Sequence, residues 1–315
     1  MQKKYNDYSN HLGLKIVRVL LGHIRYLPIR GTFKTTNLLA KIVPKPNPKG
    51  LCIVKTVHGF KMLVDPVLDK GLERALFNYG TYEAGTLTLM NDILRDGDTF
   101  IDIGANIGLM SLHAGKILGE NGRVVSFEPL SNTYNILVEN IALNNFRNVE
   151  AVNTAIGSTN GVVDIFDNIV NRGSSSLIKP NYTESCHKIP INRLDDYLEE
   201  HGINSINCIK IDVEGWELEV LKGAANTLSG FEAPICIIEC STMHPTHGGD
   251  TKDIYTFLHD INSYRLFRLA RGKEKPSRLL EIKDITNLPK HDNLFCFLPK
   301  HFKKLPSRLF TRRNA

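Results

Sequence analysis

Between residues 99 and 153 the chain alternates short strand-like runs with helical patterns. The strands fall at 99–104, 123–128 and 149–153, and the helices at 107–118 and 131–143. Alternation of this kind builds a parallel sheet covered by helices on both faces. It breaks between Ala155 and Ile191, where "GVVDIF" and "HKIPIN" flank the polar stretch "NRGSSSLIKPNYTES". It then resumes with a strand at Asn207–Asp212, a helix over 215–228, the strand "PICIIEC", a helix over 252–261 and the strand "YRLFRL". The final strand, "NLFCFL", follows without a helix between and is therefore expected to be antiparallel or at an edge. Upstream, "PKPNPKG" reads as a linker, "LCIVKTV" and "FKMLVD" flank His58-Gly59 as a hairpin, and helical patterns run from about Leu72 to Leu94. The expected organisation is a basic helical extension over 1–50, an α/β domain over 51–299 and a basic tail over 300–315.

With 315 residues, 42% of them hydrophobic and 23% charged, the chain can bury a sizeable core. Its six cysteines show no metal-type spacing, and several lie in apolar runs, which suits core thiols in a reducing, cytoplasmic compartment. Charge is segregated. Residues 1–64 carry twelve Lys or Arg against one acid, Asp7, and residues 299–315 carry six against none, so the ends hold +17 and the middle −11 of the net +6. Within "HLGLKIVRVLLGHIRYL", Leu12, Ile16, Val19, Leu20 and Ile24 fall near one helical face, with Lys15, Arg18 and Arg25 elsewhere. The segment is too short and too charged to span a membrane and lacks the features of a signal peptide. Two readings are open for it: packing on the domain, or peripheral contact with an anionic membrane surface.

The stretch "FIDIGANIGLM" places Gly104, Asn106 and Gly108 between a strand and a helix, a turn that brings backbone and a helix start to a ligand. A dinucleotide site needs G-x-G-x-x-G, whereas Asn106 and Leu109 occupy its second and third glycine positions. Asp102 inside the motif favours a ligand with a cationic centre and no pyrophosphate, and S-adenosylmethionine is one. Glu128 ends the next strand, where an acid can accept both hydrogen bonds of a ribose diol, and Asp212 ends the fourth core strand at the same carboxyl edge.

"FIDIGANIGLMSLHAGK", "VVSFEPLSNTYNILVENIALNN" and "CIKIDVEGWELEVLKGA", with the lead-in "YGTYEAGTL" and the loop "NRGSSSL", resemble the FkbM-type family of S-adenosylmethionine-dependent methyltransferases. The resemblance runs from about Tyr79 to Glu239. It implies a class I methyltransferase fold, a Rossmann-like and mostly parallel seven-stranded sheet with an antiparallel last strand, here with an N-terminal helical and hairpin extension. It also implies O-methylation of a sugar, glycan or natural-product hydroxyl. The cofactor set expected from it is Glu83, Asp102, Gly104, Ala105, Asn106, Gly108, Glu128, Pro129, Asn153 and Asp212.

A sugar hydroxyl is a poor nucleophile, so a base or a metal should take its proton. Asp212, Glu214, Glu239 and His244 are the candidates, with Glu214 or Asp212 preferred, while Glu217 and Glu219 read as helix-surface charges. Asp212, Glu214 and Glu239 together also suit Mg²⁺ through oxygen ligands. No Asn/Asp-Pro-Pro-Tyr/Phe segment and no Pro-Cys nucleophile occurs, which argues against methylation of DNA bases. The basic ends leave an RNA ribose methyltransferase as an alternative, although only Phe302 and Phe310 interleave with the tail's charges. A catalytically silent cofactor-binding module is the other.

Overall fold

The computed structural model describes residues 5–26, 31–167, 177, 185–241 and 250–310. In chain order the strands are β1 (Asn6–Asp7), β2 (Cys52–Lys55), β3 (Lys61–Val64), β4 (Thr99–Ile103), β5 (Arg123–Phe127), β6 (Val149–Val152) and β7 (Ala155–Ile156), then β8 (Gly161–Asp167), β9 (Ser185–Asn192), β10 (Cys208–Ile211), β11 (Ile235–Ser241), β12 (Arg265–Leu269), β13 (Leu279–Ile282) and β14 (His291–Phe297). The main sheet runs β13-β12-β14-β11-β10-β4-β5-β6. From β11 to β6 every pairing is parallel, and β14 is antiparallel to both β11 and β12. The sheet is thus the class I methyltransferase arrangement of mostly parallel strands, with one strand more than expected because β13 hairpins onto β12 at the edge. "NLFCFL" is antiparallel but not an edge. Leu294, Phe295, Cys296 and Phe297 are all fully buried, and only an interior strand covers both faces of such a run.

Alternate residues feed two cores, one on each face of the sheet. Phe100, Val124, Cys208, Ile237 and Phe295 pack under the helices Ala84–Ile93, Leu109–Leu118 and Ser131–Leu143. Ile101, Val125, Ile209, Cys236 and Leu294 pack on the other side, with the helices Leu194–Glu200, Glu217–Gly223 and Thr251–Asn262. All six cysteines are unpaired thiols, and all but Cys186 are buried. The expected β2–β3 hairpin forms, with β1 added in parallel. "GVVDIF" and "HKIPIN" become the antiparallel pair β8–β9, to which β7 adds.

Two helical regions differ from the sequence reading. The pattern over 72–94 is two helices, Leu72–Tyr79 and Ala84–Ile93, separated by Gly80 and Glu83 in left-handed conformations. The segment Leu12–Tyr26 is helical but widens to a π-turn over Val17–Leu21. Leu14, Val17 and Leu21 are buried, whereas the expected apolar stripe faces out, with Leu12 at 70%, Val19 at 59%, Ile16 at 39% and Ile24 at 37% exposure. Arg18 turns inward and donates to the carbonyls of Lys55, Leu76 and Phe77, where a cation satisfies the C-terminal end of the helix Leu72–Tyr79. The Arg25 guanidinium sits 3.9 Å from the Phe33 ring centroid and 4.2 Å from that of Tyr79. Among the described residues, no helix is long and apolar enough to cross a membrane. In the basic tail, Phe302 and Phe310 pack on Phe267 and on each other, so these rings serve the core rather than a stacking platform.

Candidate active site

A cleft of about 400 Å³ opens at the carboxyl ends of β4, β5, β10 and β11. Its first wall is the turn after β4. Gly104 has φ +81, and a Cβ there would lie 1.8 Å from the Asp212 carbonyl oxygen, so only glycine lets the two strand ends close on each other. Asn106, at φ +52, accepts from the Ile107 N–H through its own Oδ1 at 2.7 Å. The turn's other N–H groups are equally committed. Those of Gly104 and Ala105 go to the Phe127 carbonyl, that of Asn106 goes to Glu128 Oε2 at 3.0 Å, and that of Gly108 goes to the Ala105 carbonyl. A pyrophosphate is held by outward-facing N–H groups, and all five of this turn's are committed to partners in the turn and at the end of β5.

Glu128 follows directly on β5, and its other oxygen accepts from the Leu130 N–H at 3.0 Å. Asn153 lies behind it, donating to the carbonyls of Glu128 and Pro129 at 2.8 and 2.9 Å and accepting from Ser131. Asp102 accepts from the Ser111 hydroxyl at 2.6 Å through Oδ2, while its Oδ1 is buried with no hydrogen-bond partner. Burial pushes the Asp102 carboxyl above its ordinary range, against the pull of Lys210.

The second wall is built from charged side chains. Lys210 faces Asp102 in register across β4 and β10, and its Nζ lies 2.7 Å from Asp212 Oδ2. Burial opposes both charges of that pair, yet each partner holds the other ionised: Lys210 sits above its ordinary value and Asp212 well below. Lys273, from the loop between β12 and β13, lies 2.8 Å from Glu83 Oε1 and also touches Glu239. Asn293 of β14 donates to Glu83 Oε2 and Thr86 Oγ1, both at 2.8 Å. Glu214 adopts φ +53, and burial followed by the Asp212 charge pushes its carboxyl up to about 8. Burial and Asp212 also raise Glu239 well above the usual carboxylate range.

Of the expected residues, Glu83, Asp102, Gly104, Ala105, Asn106, Glu128, Pro129, Asp212, Glu214 and Glu239 all line the cleft. Gly108 and Asn153 stand behind it: Gly108 begins the helix Leu109–Leu118 and packs on Leu137. His244 lies outside the described residues, as does most of "NRGSSSL", of which Leu177 reaches the cleft. Glu217 is corrected: only 6% exposed, it accepts from the N–H groups of Val213 and Gly215, so it ties down the turn that carries Glu214. Glu219 is partly covered and binds Ser158 and Lys222. Asp212, Glu214 and Glu239 have carboxylate oxygens within 4.8 Å of one another, the spacing of a cation site. The ammonium groups of Lys210 and Lys273 already touch two of the three, supplying the counter-charge a divalent ion would bring.

Sequence reading missed Lys210, Lys273, Asn293 and His291, a cleft residue whose Nε2 lies 3.5 Å from Glu239 Oε1. Lys210 had a signal, a lysine inside an apolar strand two residues before Asp212 and hence on the same face. The other three had none.

Residues 102–269, more than half of the chain, match the methyltransferase FkbM domain family. The chain belongs to the FkbM methyltransferase family. It is 32% identical over 155 residues to Methyltransferase sdnD of Sordaria araneosa, an alignment covering 39% of this chain and 59% of that protein. It is 28% identical over 193 residues to the hexuronic acid methyltransferase AglP of Haloferax volcanii, covering 61% of this chain and 74% of AglP. Aeropyrum pernix fibrillarin, solved with natively bound S-adenosyl-L-methionine, aligns at 13% identity and a TM-score of 0.37 over 81% of this chain and 85% of fibrillarin. These two alignments span about three-fifths and three-quarters of the curated relatives they match.

Proposed function

We propose that the cleft binds S-adenosylmethionine and that the protein methylates a hydroxyl oxygen on a sugar ring, as part of a glycan or natural product. The observation that carries this reading is the turn after β4. With all its N–H groups used internally and Asp102, Glu128 and Asp212 around it, the turn repels a polyphosphate and suits a ligand that is cationic at one end and a ribose at the other. The unpartnered Asp102 Oδ1, buried at the cleft wall, is the second sign that a polar ligand belongs there.

When bound, S-adenosylmethionine supplies an electrophilic methyl carbon on a sulfonium centre. Glu128, fixed by two backbone N–H groups, is placed to accept from the ribose hydroxyls. Glu214 is the base. Asp212 is too weak a base, because Lys210 stabilises its charge, and Glu239 is occupied by its contact with Lys273. A carboxyl near 8 takes a proton from a hydroxyl far better than an ordinary one. The AglP likeness supports a sugar-type acceptor.

Calorimetry with S-adenosylmethionine, and transfer of labelled methyl to a panel of sugar acceptors, test the reading. Binding of the cofactor and labelled O-methyl sugars are the expected outcomes. No cofactor binding, or binding of a dinucleotide in its place, would overturn it.

A further inference from the structure

We propose that the N-terminal helices dock on an anionic lipid bilayer through Leu12, Ile16, Val19, Leu38 and Ile42, with Lys15, Lys34 and Lys41 among them contacting the headgroups. Seven of the twelve large hydrophobic residues that the described structure leaves exposed lie between residues 12 and 42, a tenth of the chain. They sit on two packed helical segments, Leu12–Tyr26 and Thr32–Ile42. Leu12, Ile16 and Val19 recur at helical spacing on the first, and Leu38 and Ile42 on the second, with Leu38 at 61% and Ile42 at 73% exposure. These residues are not waiting for the domain to cover them. The first segment already buries a different face, Leu14, Val17 and Leu21, and the second buries Thr32, Thr36 and Ala40.

Charge decides the occupant. Residues 1–50 hold ten Lys or Arg and one acid, Asp7, and Asp7 is paired with Lys61 at 2.9 Å. Lys15, Lys34 and Lys41 are exposed beside the apolar residues. A second copy of the chain would bring the same +9 against itself. A protein partner is recognised by aromatic and arginine anchors with lysine depleted at the centre. Here the exposed apolar residues are all aliphatic, the lysines are among them, and Arg18 and Arg25 are turned into the protein. Aliphatic residues on one side of a helix with lysines around them are what an in-plane interfacial helix presents to an anionic leaflet.

The layer also touches two segments that reach the cleft. Arg18 holds the C-terminal carbonyls of the helix Leu72–Tyr79, and Gly71 and Leu72 at the other end of that helix line the cleft. Lys275 donates to Thr32 at 3.0 Å and lies over Phe33, two residues from Lys273 in the cleft. Docking would therefore place the active site within about one short helix, roughly 12 Å, of the layer.

The test is co-sedimentation of the full chain with vesicles of phosphatidylcholine alone or containing phosphatidylserine. Pelleting with the anionic vesicles at low salt, release at high salt and little pelleting with phosphatidylcholine alone are expected. A Leu12→Ser, Leu38→Ser, Ile42→Ser variant should partition at least about tenfold more weakly with an unchanged melting temperature, since all three side chains are more than half exposed. If that triple variant misfolds, Ile42→Ser alone and a Lys34→Glu, Lys41→Glu pair carry the same comparison. Wild-type protein that stays in the supernatant with anionic vesicles at low salt overturns the proposal. So does equal pelleting of well-folded variants, or a stable dimer that the serine variants dissociate.

Discussion

The two walls of the cleft hold carboxylates of the same kind by opposite means. On the β4–β5 side, Glu128 and the turn at 104–108 are fixed by backbone hydrogen bonds between residues at most about two dozen positions apart. On the β10–β11 side, Asp212, Glu239 and Glu83 are fixed by the ammonium groups of Lys210 and Lys273. Backbone hydrogen bonds hold a group in place at little cost, because the N–H needs a partner in any case. Buried charges hold each other only while every partner remains, since each was taken out of water. The first wall should therefore tolerate change with local losses, and the second should fail as a unit.

Lys273→Met is the sharpest way to break that contrast. It leaves Glu83 and Glu239 facing each other in a buried site, and removing one partner of such a group costs about 3–5 kcal/mol. Urea unfolding should show a loss of that order, part of which Glu83→Gln in the same background restores. A loss below about 1 kcal/mol would mean that solvent screens this wall after all.

Glu214→Gln comes next and separates chemistry from stability. As the base, its loss should lower turnover about a hundredfold with cofactor affinity nearly kept. The pH dependence has two opposite signs. Turnover of the wild type should rise as pH rises through about 8, where Glu214 becomes ionised in the folded protein. Stability runs the other way. The unfolded carboxyl ionises near 4.5 and the folded one near 8, so the folded state holds the extra proton between them and loses stability as pH climbs through that window. The Gln variant lacks this term and should gain on the wild type in urea midpoint from pH 5 to pH 8. A turnover profile flat across pH 8 would remove Glu214 from the base role.

How far the sequence foretold each wall follows from the same difference. "FIDIGAN" and "SFEP" display the first wall because its bonds are short-range, and glycine, asparagine and glutamate betray the geometry they serve. The alternating runs likewise showed the sheet, and "NLFCFL" showed an antiparallel strand, although its place between β11 and β12 was not legible. The second wall joins positions 83, 210, 239, 273 and 293, which become neighbours only once β14 inserts between β11 and β12. Nothing local in "RGKEKP" marks Lys273 as its counter-ion. In the N-terminal helix the sequence showed an apolar stripe but not which face the domain takes: Leu14, Val17 and Leu21, also at helical spacing, pack, while Leu12, Ile16 and Val19 face out.

On the first wall, Glu128→Ala removes a charged acceptor from the ribose position together with the two backbone bonds it accepts. Calorimetry should show cofactor binding weakened by about 2 kcal/mol. An unchanged affinity would place the ribose elsewhere in the cleft.

Asn153→Ala is the smallest effect and asks whether the first wall really is local. Asn153 does not line the cleft; its amide bonds the carbonyls of Glu128 and Pro129 from behind. Both carbonyls sit where water can reach once the side chain is gone, so the loss in unfolding free energy should stay near 1 kcal/mol. Cofactor affinity should fall only a few-fold, because Glu128 keeps its own bonds to the Asn106 and Leu130 N–H groups and so keeps its place. An affinity loss as large as that of Glu128→Ala, with stability unchanged, would instead make Asn153 a direct contact of the cofactor. In that case the wall must move on binding to bring the Asn153 amide to the cofactor.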